Sequence, residues 1–151
     1  MPDSSAHPRP GVLVLNGPNL NRLGRREPEV YGALTLDDVA SQLRERFPDL
    51  ALRFEQHNSE GALIDALHAA DTVETAGVVF NPGGYAHTSV ALRDAIASIS
   101  TPVVEVHISN VYARESFRHT SLLSAVCKGM ITGFGVGGYG MAVGYFERQT
   151  T

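Results

Sequence analysis

Cysteine, lysine and tryptophan are nearly missing from this chain of 151 residues, which holds one cysteine (Cys127), one lysine (Lys128) and no tryptophan. A lone cysteine excludes an intrachain disulfide and a cysteine-based zinc site. A lone lysine leaves only Lys128 for chemistry that needs a Schiff base. No apolar run approaches the roughly 20 residues of a membrane-spanning helix. The opening stretch MPDSSAHPRPG lacks the apolar centre of a signal peptide. Residues 1–10 are therefore read as a disordered lead-in, with the cytoplasm as the expected location and no membrane partner. Positive charge is not in excess either. A net charge of −4 and a pI near 5.8 argue against a nucleic-acid partner held by bulk electrostatics, so any anion must be met by local arginines. Several motifs are absent as well. Neither GxxxxGKS nor GxxxxGKT occurs. The histidines lack HExxH-type metal spacing, and no GxSxG offers an acyl-transfer serine.

What is present reads as one globular domain over residues 11–151, since 43% hydrophobic and 19% charged residues match ordinary soluble domains. Residues 12–15 are a wholly apolar run, hence a buried strand. Residues 51–56 alternate and predict a half-exposed strand at a sheet edge. Further strands are expected at 77–80, 103–107 and 130–134. Helical spacing predicts helices over 35–47, 60–73, 90–98 and 141–148. Thr35 with Asp38 has capping-box spacing, Ser59 can cap the second helix, and Thr88 or Ser89 the third. Strands alternating with helices at this spacing mean a parallel sheet covered on both faces. Five such units suggest an α/β, flavodoxin-like, doubly wound five-stranded sheet.

In such a sheet ligands bind beyond the carboxyl ends of the strands. The residues leaving the strands are Asn16 and Asn19, His57 and Asn58, Asn81 with Gly83 and Gly84, then His107, Ser109 and Asn110. These groups are uncharged and hydrogen-bonding, and Arg114 and Arg118 follow. Arginine forks clamp carboxylates while amides and hydroxyls read hydroxyl groups, so the set suits a polyhydroxylated anionic small molecule. Between the first strand and first long helix lies NGPNLNRLGRREPEVYG, too long for a simple connector. It brings Arg25, Arg26 and Tyr31 close together in sequence. Guanidinium groups near a phenol favour the phenolate, which can act as a base; the alternative is a solvated, Arg-rich surface loop. Glu105 and His107 share one side of their strand. A carboxylate beside an imidazole fixes its tautomer and favours its protonated form, as suits a general acid. His87 is either a cap neighbour or a ligand contact, and Asp94 is either a surface acid or an intersubunit contact. His57 remains open, and His7, His68 and His119 are read as structural.

The blocks GPNLNRLGRREPEVYG, FNPGGYAHTSVALRDA and PVVEVHISNVYARESFRHTS resemble, in order and spacing, the signature blocks of type II 3-dehydroquinate dehydratases. The likeness runs from about Val12 to Tyr145. It implies a flavodoxin-like domain that assembles as a dodecamer, a tetramer of trimers. It also implies conversion of 3-dehydroquinate to 3-dehydroshikimate without a cofactor or metal, in the shikimate pathway or quinate catabolism. By the same resemblance Tyr31 is the base, Arg26 holds it as phenolate and helps close the lid, and Asn19 positions a water at the enolate. His107 is the acid, supported by Glu105. Asn81, His87, Ile108, Ser109 and Arg118 bind substrate, and Asp94 contributes from a neighbouring subunit. Arg114 matches a family arginine but ranks below Arg118. The stretch 56–61 and the glycine-rich 137–141 depart mildly from the family pattern.

Two other readings compete. A flavodoxin-like module that binds a nucleotide or regulatory ligand explains the glycine turns and strand-end amides. It does not explain Tyr31 among arginines or Glu105 with His107. An inactive structural oligomer of the same fold predicts assembly without turnover.

Overall fold

The computed structural model describes residues 8–25 and 27–151. Its unbroken apolar runs have no polar face for water, so they become interior strands of a five-stranded parallel sheet in the order β2-β1-β3-β4-β5. These are β1 (Gly11–Asn16), β2 (Ala51–Gln56), β3 (Thr75–Asn81), β4 (Val103–His107) and β5 (Gly129–Thr132). The alternating β2 takes an edge, as its pattern requires. Register aligns Asn16 with both Gln56 and Asn81, and His107 with Thr132. The polar carboxyl ends of the strands thus meet along one rim.

Strand periodicity sorts the core into two layers. Val12, Val14, Val79, Val104 and Val106 face α2 (Leu36–Arg46) and α5 (Gly137–Gln149). Leu13, Leu15, Val78, Phe80 and Val103 face α3 (Glu60–Ala70) and α4 (Val90–Ser98). Helices therefore cover both faces, and Glu105 shares its side of β4 with Val103 and His107. The expected caps form. Thr35 and Asp38 bond reciprocally at 2.9 and 3.2 Å. Ser59 accepts from the Ala62 N–H at 3.2 Å and Ser89 from the Leu92 N–H at 2.9 Å.

Element boundaries differ from the sequence expectation at four places. Helix α3 stops at Ala70 because Asp71 turns its carboxylate to accept from the Ser100 and Thr101 N–H groups, both at 3.1 Å. Strand β3 begins two residues early, at Thr75. Strand β5 ends at Thr132 because Gly133 turns the chain with φ +94°. The glycines at 137, 138 and 140 lie inside α5 rather than in a turn before it. A Cβ on Gly138 would stand 3.3 Å from Val106 and 3.4 Å from Ile131, and one on Gly140 would stand 2.6 Å from the Arg46 guanidinium. Bare backbone lets α5 sit close on the sheet and on α2. The long stretch before α2 carries a 3₁₀ turn (Leu20–Arg22) and one helical turn, α1 (Pro28–Tyr31).

Two strand exits lock together at the rim. The Gly17 N–H donates to the Asn81 carbonyl at 2.7 Å. A Cβ at Gly17 would lie 2.6 Å from the Pro82 carbonyl oxygen, a backbone atom that cannot swing aside. Gly17→Ala is therefore expected to lose about 1–3 kcal/mol by overpacking, read from the urea midpoint. A midpoint equal to wild type would show that the loops are not in fixed contact.

Candidate active site

The β1, β3 and β4 exits, the turn Gly83–His87 and the segment after β4 enclose a cleft of about 630 Å³, its open mouth included. It lies where strand order reverses between β1 and β3, the switch point at which doubly wound sheets bind ligands. Its lining includes Asn19, Tyr31, Asn81, His87, His107, Ile108, Ser109, Arg114 and Arg118.

Tyr31 enters from α1, the single turn before Gly32. Arg114 Nη1 donates to its hydroxyl oxygen at 2.7 Å and to Ser109 Oγ at 3.2 Å. The backbone of Arg114 is held in turn, since its carbonyl meets His119 Nε2 at 3.0 Å. Among the described residues, Arg114 brings a guanidinium to the tyrosine, and it is the arginine that the sequence reading ranked below Arg118. Arg25 does not line the cleft, and Arg26 lies outside the described residues. Arg118 also faces the cleft, with its Nε donating to Glu115 at 2.7 Å.

On the other wall stands a buried ion-pairing unit. Glu105 is wholly out of water and His107 is 6% exposed. A carboxylate only accepts, so His107 donates its Nε2–H to Glu105 Oε2, at 2.6 Å. Its Nδ1 is the ring nitrogen not used in that bond. Ser124 Oγ donates to Glu105 Oε1 at 2.7 Å, and Ser121 Oγ stands 3.0 and 2.9 Å from the two carboxylate oxygens. Burial pushes the Glu105 carboxyl up. The donors His107, Ser124 and Ser121, with the His107 charge, outweigh burial and hold it below the ordinary range. Nearby Cys127 is pushed up to about 12, by burial first and the Glu105 charge second, so it stays a thiol at neutral pH.

His87 donates Nδ1–H to the Thr120 carbonyl at 2.8 Å, which leaves Nε2 outside that bond, and its ring stacks on His107 with centroids 6.1 Å apart. Asn81 is 3% exposed. Its amide N donates to Tyr139 Oη at 2.9 Å, its amide O accepts from the Gly83 N–H at 3.1 Å, and Tyr139 Oη donates to Asn16 Oδ1 at 2.5 Å. Burial pushes that phenol upward, so it stays neutral. Asn19 has left-handed backbone, φ 69°, and its N–H donates to Asn58 Oδ1 at 3.0 Å. Ile108 is buried in the wall.

Asp94, expected at the site from a neighbouring subunit, and His57, left open, stand apart. Asp94 lies on α4, outside the cleft of its own chain, paired with Arg93 at 3.0 Å. His57 pairs with Glu55 on the edge strand at 3.0 Å and does not line the cleft. Ser121, Ser124 and Tyr139 were not anticipated. The Ser-x-x-Ser spacing after Arg118 was the one available signal, and nothing local links it to Glu105.

Known proteins resemble this chain in sequence and in fold. Residues 10–147 match the family model described as dehydroquinase class II. The chain is 60% identical to the 3-dehydroquinate dehydratase of Bacillus pumilus, with 93% of this chain and 96% of the relative covered. It is also 60% identical to that of an Exiguobacterium species, covering 87% and 90%. The crystal structure of type II dehydroquinase from Butyrivibrio crossotus superposes with a TM-score of 0.89 at 44% identity, covering 92% of this chain and 98% of that one.

The depressed carboxyl of Glu105 has a consequence for acid stability. A group whose folded pKa lies below its ordinary 4.5 contributes stability that is fully present above that value and is lost as pH falls through the folded pKa. Glu105→Gln removes this contribution, so its unfolding midpoint should fall less steeply than wild type as pH drops below the ordinary 4.5. Urea titrations at several pH values read the slopes, and parallel slopes would refute the assignment.

Proposed function

The chain belongs to the class II dehydroquinase family, and on that premise we propose that it dehydrates 3-dehydroquinate through an enolate, with Tyr31 as base and His107 as acid. The observation that carries the reading is a single cleft in which a tyrosine oxygen held by a guanidinium shares the lining with an imidazole backed by a buried carboxylate. Loss of water beta to a ketone needs a base at the alpha carbon, stabilisation of the oxyanion and an acid at the departing hydroxyl. Tyr31, as phenolate, takes the alpha proton, and the positive charge of Arg114 offsets the anion. Arg26 assists in the same role. Asn19 orients a water against the enolate oxygen. The enolate re-forms the ketone as the carbon–oxygen bond breaks, and His107 gives its proton to the leaving hydroxyl. Water departs, and the Tyr31 proton returns to solvent as His107 is reprotonated.

The remaining wall grips the substrate. His87 Nε2 suits a substrate hydroxyl, and the Ser109 hydroxyl, the Ile108 backbone and Asn81 complete the polar contacts. Arg118 supplies further positive charge for an anionic group. Asp94 acts from a neighbouring chain in a dodecamer built of trimers. Exposed Tyr112 and Phe117, on the segment that also carries Arg114 and Arg118, support a subunit contact there. Among the described residues no helix is long and apolar enough to cross a membrane, and cytoplasmic work in the shikimate pathway or in quinate catabolism fits the reading.

A Schiff-base route would need an amine in the cleft. Lys128 lies at the amino end of the sheet, where its N–H meets the Val103 carbonyl at 2.7 Å. Borohydride added during turnover should therefore leave activity unchanged. Covalent capture of substrate on Lys128 would overturn the enolate route. Tyr31→Phe and His107→Ala should each fold and lose roughly 10²–10⁴-fold in kcat, followed by the ultraviolet absorbance of the conjugated enone. Turnover near wild type in either variant refutes its role.

A further inference from the structure

One short segment holds both histidines of the cleft. Thr120 offers its carbonyl to His87, and Ser121 and Ser124 donate to Glu105, the partner of His107. The segment is anchored at its centre. Leu123 is fully buried in the layer under α3 and α4, and the Leu122 N–H donates to the Ala86 carbonyl at 2.7 Å. The two serines differ. Ser121 Oγ also accepts from the Leu123 and Ser124 N–H groups at 3.1 and 3.2 Å, so it caps its own turn. Among the described residues Ser124 Oγ hydrogen-bonds to Glu105 Oε1 and, at 3.3 Å, to the Met130 sulfur.

We propose that Ser124 is a positioning residue of the reaction: its hydrogen bond holds Glu105 in the rotamer that aims Oε2 at His107. A carboxylate with one oxygen fixed by a hydroxyl can turn the other only toward the remaining donor, here His107 Nε2. Without Ser124, Oε1 keeps only the shared hydrogen of Ser121, and Glu105 can rotate. The acid then spends part of its time misdirected, and misplacement of this kind costs rate more than binding. Removing the donor also leaves the Glu105 charge less satisfied, so it holds the His107 proton more tightly. The other titratable groups of the cleft are His87 from the Gly83–His87 turn, which stacks on His107, and Tyr31 from α1 with Arg114 and Arg118 from the segment after β4, which share its lining. All four remain in Ser124→Ala.

The inference rests on the dehydratase reading, and the test separates the two. Turnover of 3-dehydroquinate is measured for wild type, Ser124→Ala and Ser124→Thr across pH, with thermal unfolding alongside. Ser124→Ala is expected to lose roughly tenfold in kcat with KM within about twofold, and its alkaline limb should move to higher pH. Ser124→Thr keeps the hydroxyl and should restore both. In a Glu105→Gln background the serine change should add little further loss, since the two act as one unit. An active wild type beside a Ser124→Ala with unaltered kcat and pH limb, whatever its melting temperature, overturns the positioning role alone. A folded wild type inert toward 3-dehydroquinate overturns the dehydratase reading and this inference together.

Discussion

The structure depends on one charge taken entirely out of water. Burying a carboxylate costs several kcal/mol unless its oxygens are paired and hydrogen-bonded, and Glu105 sits at 0% exposure in the middle of β4. Donors have therefore been gathered around it from residues 107, 121 and 124. That requirement explains why the chain after Arg118 returns over the α4 side of the sheet instead of running straight into β5. It also explains why the imidazole at the end of β4 has a defined tautomer. The same contacts that make the buried charge tolerable give the cleft an imidazole whose direction is set before any ligand arrives.

A second buried group works on the neighbouring exits without charge. Tyr139 spans β1 and β3 by bonding Asn16 and Asn81, each 3% exposed. Buried amides left unpaired cost about 1–3 kcal/mol each, so the three side chains stabilise one another and fix the separation of the strand ends. The Gly17 and Pro82 backbones then pass at a distance no side chain could share. The floor of the cleft is thus rigid for reasons of hydrogen-bond satisfaction, and helix α5 takes part in the site without touching the cleft.

The periodic parts of this arrangement were legible in the sequence. The unbroken apolar runs gave the interior strands, the alternation of residues 51–56 gave the edge, and period two put Glu105 beneath His107. Side-chain caps at Thr35, Ser59 and Ser89 were equally local. What escaped was every contact whose partners are distant in the chain. Arg114 meets Tyr31 across 83 residues, whereas nearness in the chain pointed to Arg25, which does not line the cleft, and to Arg26, which lies outside the described residues. Tyr139 reaches Asn16 across 123 residues, and its surrounding glycines read as a turn because helix interiors rarely hold them. Tertiary packing of α5 against β4, β5 and α2 outweighed that propensity. Asp94 was read either as a surface acid or as a contact between subunits. One chain shows it exposed and paired with Arg93, consistent with either.

The two groups proposed to transfer protons stand on supports of opposite kinds, and the proposed reaction gives a reason. His107 ends an interior strand, is almost fully buried and has its partner held by two serines. Tyr31 ends a helix of four residues in which no residue is buried. Nucleating a turn costs more than its own hydrogen bonds return, and Glu27, its N-cap, is held at φ 41°, where side chains are strained. Such a turn depends on what it docks against, here the Arg114 guanidinium and the core edge near Leu20 and Leu23. A base on a dependent turn can withdraw to admit a polar substrate and return over it, whereas an acid that must deliver a proton along one line gains from a fixed mount. On the proposed mechanism, docking of the turn and completion of the base become a single event, because the Arg114 guanidinium that bonds the tyrosine oxygen is also a charge that the proposed phenolate requires.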